Sequence, residues 1–424
     1  MKKRVGKMAY QNVKGMRDFL PAQAKKKQFI EDLCRAIFEK YGYEPLQTPV
    51  VEDFALLAAK GSGGEAIKGE IYYFKDKGER EIGLRYDLTV PLGRVAASNP
   101  MLQKPFRRYC ISTVYRYDRP QAKRYREFTQ ADADIVGAKG ILADFESLQV
   151  SVDVMRSLGL QFTVRTSSRQ LLEELALKCN VQPSQIADAL RSIDKLDKIG
   201  EKEVEKEFEA KGIDCSLLEK ISTNSLEQVK DTLGESQGVS DIETLLALCR
   251  ENGLNEVRFD LSLCRGLEYY TGTVFEIALN EGPSVGGGGR YDNLISLYGG
   301  QPTPAVGISF GIDRLYDALE GTLVIGPNTD ILIAPLSNDA WPAAFKIGAE
   351  LRKAGVAVEM EVMERNIKKN LEYAQKRAIG FIAFIGEQEV KAKAFKVKDM
   401  QGRSEKEFAF NDIKEVFSFI KGHH

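Results

Sequence analysis

The sequence predicts an α+β fold: an antiparallel sheet flanked by helices, interrupted by a helical insertion and followed by a small α/β domain. Three patterns carry that prediction. Residues 45–136 read as consecutive strands without intervening helices, which suits an antiparallel sheet better than a doubly wound one. Residues 171–250 are helical in period and rich in Lys and Glu. After residue 330, strand and helix take turns, the rhythm of an α/β unit. At 424 residues, 43% hydrophobic and 29% charged, the chain has material for two or three domains with buried cores.

Each element has a local reason. Pro21 opens a helix whose Phe29, Ile30, Leu33, Ile37, Phe38 and Tyr41 recur at helical spacing, and Gly42 stops it. Strands are expected at 71–74, 82–85, 111–115 and 128–136, parted by turns such as Asp76-Lys77-Gly78. Residues 143–158 read as a helix, and the helical insertion follows. Strand texture returns at 257–264 and 273–279; then comes the glycine cluster Gly286 to Gly289, with helices expected near Arg290 and Gly311. The pattern breaks over 321–328 as a linker would, giving domains at 1–325 and 329–424. Beyond it lie a strand at 331–334, a helix at 340–354, a strand at 356–362, a helix at 366–378 and a strand at 381–385.

Composition narrows the chemistry. Lys and Arg number 60 against 61 Asp and Glu, a net charge of -1, so a polyanion site must come from local clustering. Both histidines are terminal, His423 and His424, which excludes Ser/His or Cys/His catalysis, a histidine general base and a His-based metal site in the folded body. The cysteines are scattered without a Cys-x-x-Cys and read as buried thiols of a reducing cytosol. The basic, polar start is no signal peptide, and no apolar run reaches the ~20 residues of a bilayer span. The expectation is a cytoplasmic protein with no membrane association.

The strongest local signal runs from Lys104 to Arg126. Lys104, Arg107, Arg108, Arg116, Arg119, Lys123, Arg124 and Arg126 face a single acid, Asp118. A basic run is usually a solvated face. Here Arg116 ends an apolar strand and Arg119-Pro120-Gln121 makes a turn, so the hairpin aims guanidinium groups at one place and implies a phosphorylated ligand. On the returning strand, period two puts Gln130, Asp132 and Asp134 on one face and Ala131, Ala133 and Ile135 on the other. Three hydrogen-bonding side chains in register look like the polar floor of a cleft, although a lone acid in a strand is commonly just an exposed edge. Asp87 adds a carboxylate suited to an ammonium group.

Two further segments match in kind: Arg265-Gly266-Leu267-Glu268-Tyr269-Tyr270, and Gly286 to Gly289 with Arg290-Tyr291-Asp292. The glycines permit close backbone approach to a ligand, and a flexible hairpin is their plainer reading. Their spacing is neither the Rossmann nor the Walker pattern. In Gly307 to Leu315, strand, glycine turn and helix put Arg314 in a first helical turn. With no histidine in the body, the chemistry should be electrostatic stabilisation of phosphate rather than proton shuttling.

Taken together and in this order, these segments resemble the histidyl-tRNA synthetases over nearly the whole chain. The Pro49 region is similar to motif 1 of the class II synthetases, the Tyr115-Arg116-Tyr117-Asp118-Arg119-Pro120 hairpin to motif 2, and Gly307 to Leu315 to motif 3. Arg265 to Tyr270 and Val285 to Asp292 resemble the two signatures peculiar to the histidine enzymes. Asp87 and Asp134 stand where many bacterial members carry Glu, and Asp87-Leu88-Thr89 is closer to the archaeal and eukaryotic pattern.

The resemblance implies a class II synthetase catalytic domain and a C-terminal anticodon-binding domain. It implies ATP-dependent attachment of L-histidine to tRNA(His) through histidyl-adenylate, with Mg2+ accompanying ATP, in a homodimer. Arg116, Arg265 and Arg314 are then the catalytic and ATP-binding arginines. The histidine site is made of Asp87, Leu88, Thr89, Arg116, Gln130, Asp134, Arg265, Tyr269 and Tyr270. In the C-terminal domain Arg365, Lys368, Lys369, Lys376 and Arg377 would meet the anticodon stem. The rival from a regulatory class is the non-catalytic synthetase paralogue of histidine biosynthesis. It typically lacks the anticodon domain and the signature residues kept here. A histidyl-like sensor domain of a stress kinase and the prolyl, threonyl or glycyl synthetases fit less well.

Overall fold

A computed structural model of the chain describes residues 10–59, 69–117, 124–264, 269–280, 282–402 and 404–422. Two compact units divide between Leu323 and Val324.

In the first unit the helix Pro21–Lys40 starts on a proline, whose missing N–H has no helical partner to lose there. It ends just before Gly42, which takes φ +75. Its buried Ile30, Cys34, Ile37 and Phe38 join the core beneath the main sheet. The described strands are, in order, β1 (Glu44–Pro45), β2 (Val51–Asp53), β3 (Tyr73–Lys75), β4 (Glu81–Leu84), β5 (Phe106–Tyr115), β6 (Glu127–Val136), β7 (Phe162–Ser168), β8 (Val257–Phe259), β9 (Thr273–Leu279), β10 (Ser284–Arg290) and β11 (Ala305–Gly311).

The main sheet runs β1-β5-β6-β11-β10-β9-β7-β8. Its six central strands are antiparallel, as the sequence predicts, while β1 on β5 and β8 on β7 pair in parallel. The inner face of Ala131, Ala133, Ile135, Ile308, Phe310, Phe275 and Ile277 packs on the helices Pro21–Lys40 and Ile141–Ser157. β2, β4 and β3 form a separate three-stranded sheet.

Three expectations are corrected here. First, residues 45–136 are not free of helix: Phe54–Ala58 and Thr89–Ser98 interrupt them. The second of these is masked in sequence by Pro91 and Gly93, poor residues for a helix interior. The Asp87 carboxylate accepts the Val90 N–H at 2.9 Å, and Val90 and Leu92 are buried, which fixes the turn. Second, the glycine cluster lies inside β10, and Arg290 ends that strand rather than starting a helix; the next helix is Leu294–Leu297. Arg290 is held by Asp144 and by the carbonyls of Ala138 (2.9 Å) and Gly140 (3.1 Å). Third, β8 stops at Phe259, where Asp260 accepts the Ser262 N–H at 3.0 Å and turns the chain.

The helical block extends from Arg169–Lys178 to Gln237–Glu251. The Ser168 hydroxyl caps its first helix by accepting the Leu171 N–H. Leu171, Leu175, Leu190, Phe208 and Leu217 belong to a core cluster of their own, so the block is a self-packed module.

In the second unit the order is β13-β12-β14-β15-β16, with β12 (Ile331–Pro335), β13 (Val358–Met360), β14 (Phe381–Ile385), β15 (Ala394–Asp399) and β16 (Glu405–Ala409). The first three are mutually parallel, and β15 and β16 add antiparallel strands. Helices Trp341–Lys353 and Ile413–Lys421 contribute Ala344, Ile347, Leu351, Val416 and Ile420 to its core.

Candidate active site

Pairing across the main sheet stacks three polar rows on the face opposite the core. Arg108 of β5 faces Asp134 of β6, which faces Gly307 of β11, which faces Gly289 of β10. The next row is Cys110, Asp132, Ser309, Gly287 and, on β9, Glu276. The third is Ser112, Gln130 and Gly311. Glycine is required in these rows by contact. A Cβ at Gly307 would lie 2.0 Å from Asp134 Oδ1, and one at Gly289 would lie 2.5 Å from the Thr273 carbonyl and 3.0 Å from the Tyr270 ring.

Within the rows the side chains are tightly interlocked. Arg108 is fully buried; its Nη2 sits 2.7 Å from Asp134 Oδ2 and donates to the Leu88 carbonyl at 3.1 Å. The Tyr291 hydroxyl donates to Asp134 Oδ1. Gln130 Nε2 donates to the Ser309 hydroxyl at 2.6 Å. The Tyr269 and Tyr270 rings lie 4.4 Å apart, tilted by 38°, with their hydroxyls 3.1 Å apart, and Tyr291 meets Tyr269 edge-on. Asp87 is 7% exposed beside this group, capping the helix whose first residue is Thr89, while Leu88 is buried.

Several buried polar atoms end without a hydrogen-bond partner among the described residues: Arg108 Nε and Nη1, Gln130 Oε1 and Asp132 Oδ1. Each such group costs about 1–3 kcal/mol if nothing answers it. A sheet face carrying them suits a polar ligand. Burial pushes the Asp132 carboxyl up to about 7, with Asp134 and Asp87 adding to the effect and Arg108 and the Ser309 hydroxyl opposing it. Burial also holds the phenols of Tyr269 and Tyr291 well above their ordinary range and pushes Tyr270 to about 12. All three are therefore hydrogen-bond donors at neutral pH.

Arg116 follows β5. Its N–H donates to the Arg126 carbonyl at 2.9 Å, its Nε donates to the Tyr86 carbonyl at 3.0 Å, and its guanidinium lies 5.2 Å from the Phe128 ring. Arg314 sits in the first turn of Ile312–Leu319 and donates to the Ser284 carbonyl at 2.7 Å. β5 and β11 run in the same direction on either side of β6, so both arginines lie at one end of the sheet, flanking the Gln130–Gly311 pair. Arg265 lies outside the described residues, as do Gly266 to Glu268 and the hairpin tip from Asp118 to Lys123.

Sequence reasoning missed several members. Arg108 was one basic residue among many until pairing set it against Asp134. In the sequence Tyr291 is no more than a neighbour of the glycines. Arg17, outside every motif, pairs with Asp313 (3.0 Å) and Asp317 (3.2 Å) and lies over the Tyr125 ring at 3.7 Å. Asp313 in turn accepts the Thr129 N–H at 2.8 Å, so the hairpin base and the helix carrying Arg314 are clamped together.

In the second unit, Arg365 pairs with Glu361 at 3.4 Å and lies 4.3 Å from the Tyr373 ring. Arg377 reaches Glu359 at 3.9 Å, and Lys368, Lys369 and Lys376 are exposed. Among the described residues no helix is long and apolar enough to cross a membrane, and no group of three His, Cys, Asp or Glu side chains could cage a metal ion.

Comparison with known proteins agrees with this layout. The family model for histidyl-tRNA synthetase matches residues 15–315, and that for the anticodon binding domain matches 330–420. Histidine–tRNA ligase 2 of Shouchella clausii is 37% identical, covering 96% of this chain and 99% of the relative. Histidine–tRNA ligase of Methanocaldococcus jannaschii is also 37% identical, covering 92% and 95%. The crystal structure of a Nostoc histidyl-tRNA synthetase superposes with a TM-score of 0.85 at 30% identity, covering 99% of this chain and 100% of that one. A Bacillus halodurans structure described as an ATP phosphoribosyltransferase regulatory subunit/histidyl-tRNA synthetase shares the fold at 22% identity and a TM-score of 0.76, covering 89% and 99%.

Proposed function

The chain belongs to the histidyl-tRNA synthetase family, and on that premise we propose that it attaches L-histidine to tRNA(His) through a histidyl-adenylate intermediate. In the first step a histidine carboxylate oxygen attacks the α-phosphorus of ATP and pyrophosphate leaves. In the second the terminal ribose hydroxyl of tRNA attacks the activated carbonyl and AMP leaves. The body of the chain offers no histidine for proton transfer, so its part is positioning and charge stabilisation.

Arg116 holds the α-phosphate and the histidine carboxylate in line. Arg265 stabilises charge building on the α-phosphate, and Arg314 holds the γ-phosphate of a bent ATP. Mg2+ accompanying ATP would supply positive charge to the phosphates and, with phosphate and water as most of its ligands, would need few protein carboxylates. Asp87 and Thr89 take the histidine ammonium, with the Leu88 segment shaping that end. Gln130 and Asp134, with Tyr269 and Tyr270, read the imidazole. A site built to hydrogen-bond a ring nitrogen rejects an apolar analogue by ~10⁴ or more, because its own groups are left unpaired.

The observation that carries this reading is the buried polar face of Gln130, Asp134 and Arg108, with its unanswered atoms, opening beside Arg116 and Arg314. We read the C-terminal unit as the anticodon-binding part, where phosphate contacts give affinity and splayed bases give specificity. The domains are taken as 1–325 and 329–424, and the enzyme as a cytoplasmic homodimer. Charging of a tRNA(His) transcript with labelled histidine is the test. Stable ester formation is expected; a chain that binds histidine but forms neither adenylate nor ester would be a regulatory paralogue instead.

A further inference from the structure

We propose that Arg17 is a positioning residue of the ATP site: it ties the hairpin arm that carries Arg116 to the helical turn that carries Arg314, so that both guanidiniums meet one triphosphate. The inference rests on the histidine-activating reading above and deepens it.

Reach is the first argument. Arg17 precedes the helix Pro21–Lys40, yet its side chain ends on two distant elements at once. Nη1 donates to the Tyr125 hydroxyl at 2.6 Å and to Asp317 at 3.2 Å, and Nη2 donates to Asp313 at 3.0 Å. Tyr125 adjoins Arg126, whose carbonyl takes the Arg116 N–H at 2.9 Å, and Asp313 adjoins Arg314. One planar fork therefore grips the chain neighbours of both phosphate-holding segments. The second argument is that the surrounding chain repeats the connection. The Arg126 N–H donates to the Gly15 carbonyl at 2.8 Å, and a Cβ at Gly15 would lie 2.9 Å from Arg126 Cγ, so this stretch lies directly against the arm. Phe19 meets the Tyr316 ring edge-on at 5.4 Å, which seats the same stretch on the helix Ile312–Leu319.

The third is a contrast in support between the two ends of the site. Gln130 and Asp134 are laddered on both sides, to β5 and to β11. Arg116 and Arg126 lie past the ends of β5 and β6, where that ladder has stopped. The histidine floor therefore keeps its place without Arg17, and the phosphate end does not. Removing Arg17 still leaves Asp313 with Lys27 at 3.4 Å and Asp317 with the Tyr125 hydroxyl at 3.3 Å. Neither carboxylate is stranded, so the fold should survive the loss. A merely structural Arg17 would lower the melting temperature and leave the kinetics of the folded enzyme alone.

The test measures ATP–pyrophosphate exchange by the full-length protein, varying ATP and histidine in turn, for the native chain, Arg17→Ala, Arg17→Lys and Asp317→Asn. In Arg17→Ala the ATP KM should rise about tenfold, as for a displacement short of the ~1 Å that costs ~10² in rate, with the histidine KM within twofold. Arg17→Lys keeps the charge but not the fork and should fall between the two. The loss in Arg17→Ala combined with Arg314→Ala should fall short of the product of the single losses, because Arg17 acts partly through Arg314. An ATP KM within twofold of native, even with a lowered melting temperature, would overturn the role. So would a histidine KM that rises alongside it, or losses that simply multiply. Should Arg17→Ala not fold, Asp317→Asn decides in its place: an ATP-only rise of twofold or more is expected, and anything less overturns the role equally. A native chain without histidine-stimulated exchange removes the underlying reading instead.

Discussion

Gly307→Ala tests the polar face with a single methyl group. The new Cβ would lie 2.0 Å from Asp134 Oδ1 and 2.5 Å from its carboxyl carbon, where real Cβ contacts essentially never fall below 3.0 Å. The carboxylate must therefore retreat by roughly 1 Å, and a misplacement of that size in a positioning group can cost ~10² in rate. Asp134 has little freedom to comply, being tied to Arg108 at 2.7 Å and to the Tyr291 hydroxyl. Gly307 cannot give way either, because it is laddered between Asp134 and Gly289. We expect kcat/KM for histidine in ATP–pyrophosphate exchange to fall about 10²-fold, with the ATP KM within a factor of three. Gly321→Ala, where nothing lies within 4 Å of the added Cβ, is the control. If Gly307→Ala kept native kcat/KM for histidine while remaining folded, Asp134 would not be reading the substrate from this position.

Other perturbations probe other parts of the site. Arg314→Ala should lower the exchange rate by ~10²–10³ while leaving the melting temperature unchanged, since the arginine is exposed and its loss removes one phosphate donor; a near-native rate would dismiss its γ-phosphate role. Arg108→Met strands Asp134 and Asp132 as buried carboxylates and should cost about 3–5 kcal/mol in urea unfolding, against near zero if the pair were dispensable. The raised carboxyl of Asp132 gives a signed pH effect: the native state keeps a proton that the unfolded chain loses, so this contribution is complete below about 4 and gone above about 7. The melting temperature of the ligand-free native protein should thus decline relative to Asp132→Asn as pH rises across that window; parallel curves would contradict it.

What could be read in the sequence was whatever a local pattern determines. The helix Pro21–Lys40 shows in its apolar spacing and terminal Gly42, and the face of Gln130, Asp132 and Asp134 shows in strand alternation. The family signatures were legible because they are contiguous. Pairing was not. Nothing local tells that Arg108 faces Asp134, or that β10 needs glycine at Gly288 because a Cβ there would lie 2.0 Å from the Gly307 carbonyl. The helix Thr89–Ser98 was hidden for a similar reason: its start depends on the Asp87 cap and on burial of Val90 and Leu92, which outweigh Pro91 and Gly93. Arg17 escaped notice because its partners, Asp313 and Asp317, are about 300 residues away along the chain.

The most direct trial is exchange of labelled pyrophosphate into ATP by the purified chain, assayed with each of the twenty amino acids in turn. Exchange stimulated by L-histidine alone, and abolished by Arg265→Ala, is the predicted outcome. Stimulation by a different amino acid, or none by histidine, would contradict the assignment of this cleft to imidazole.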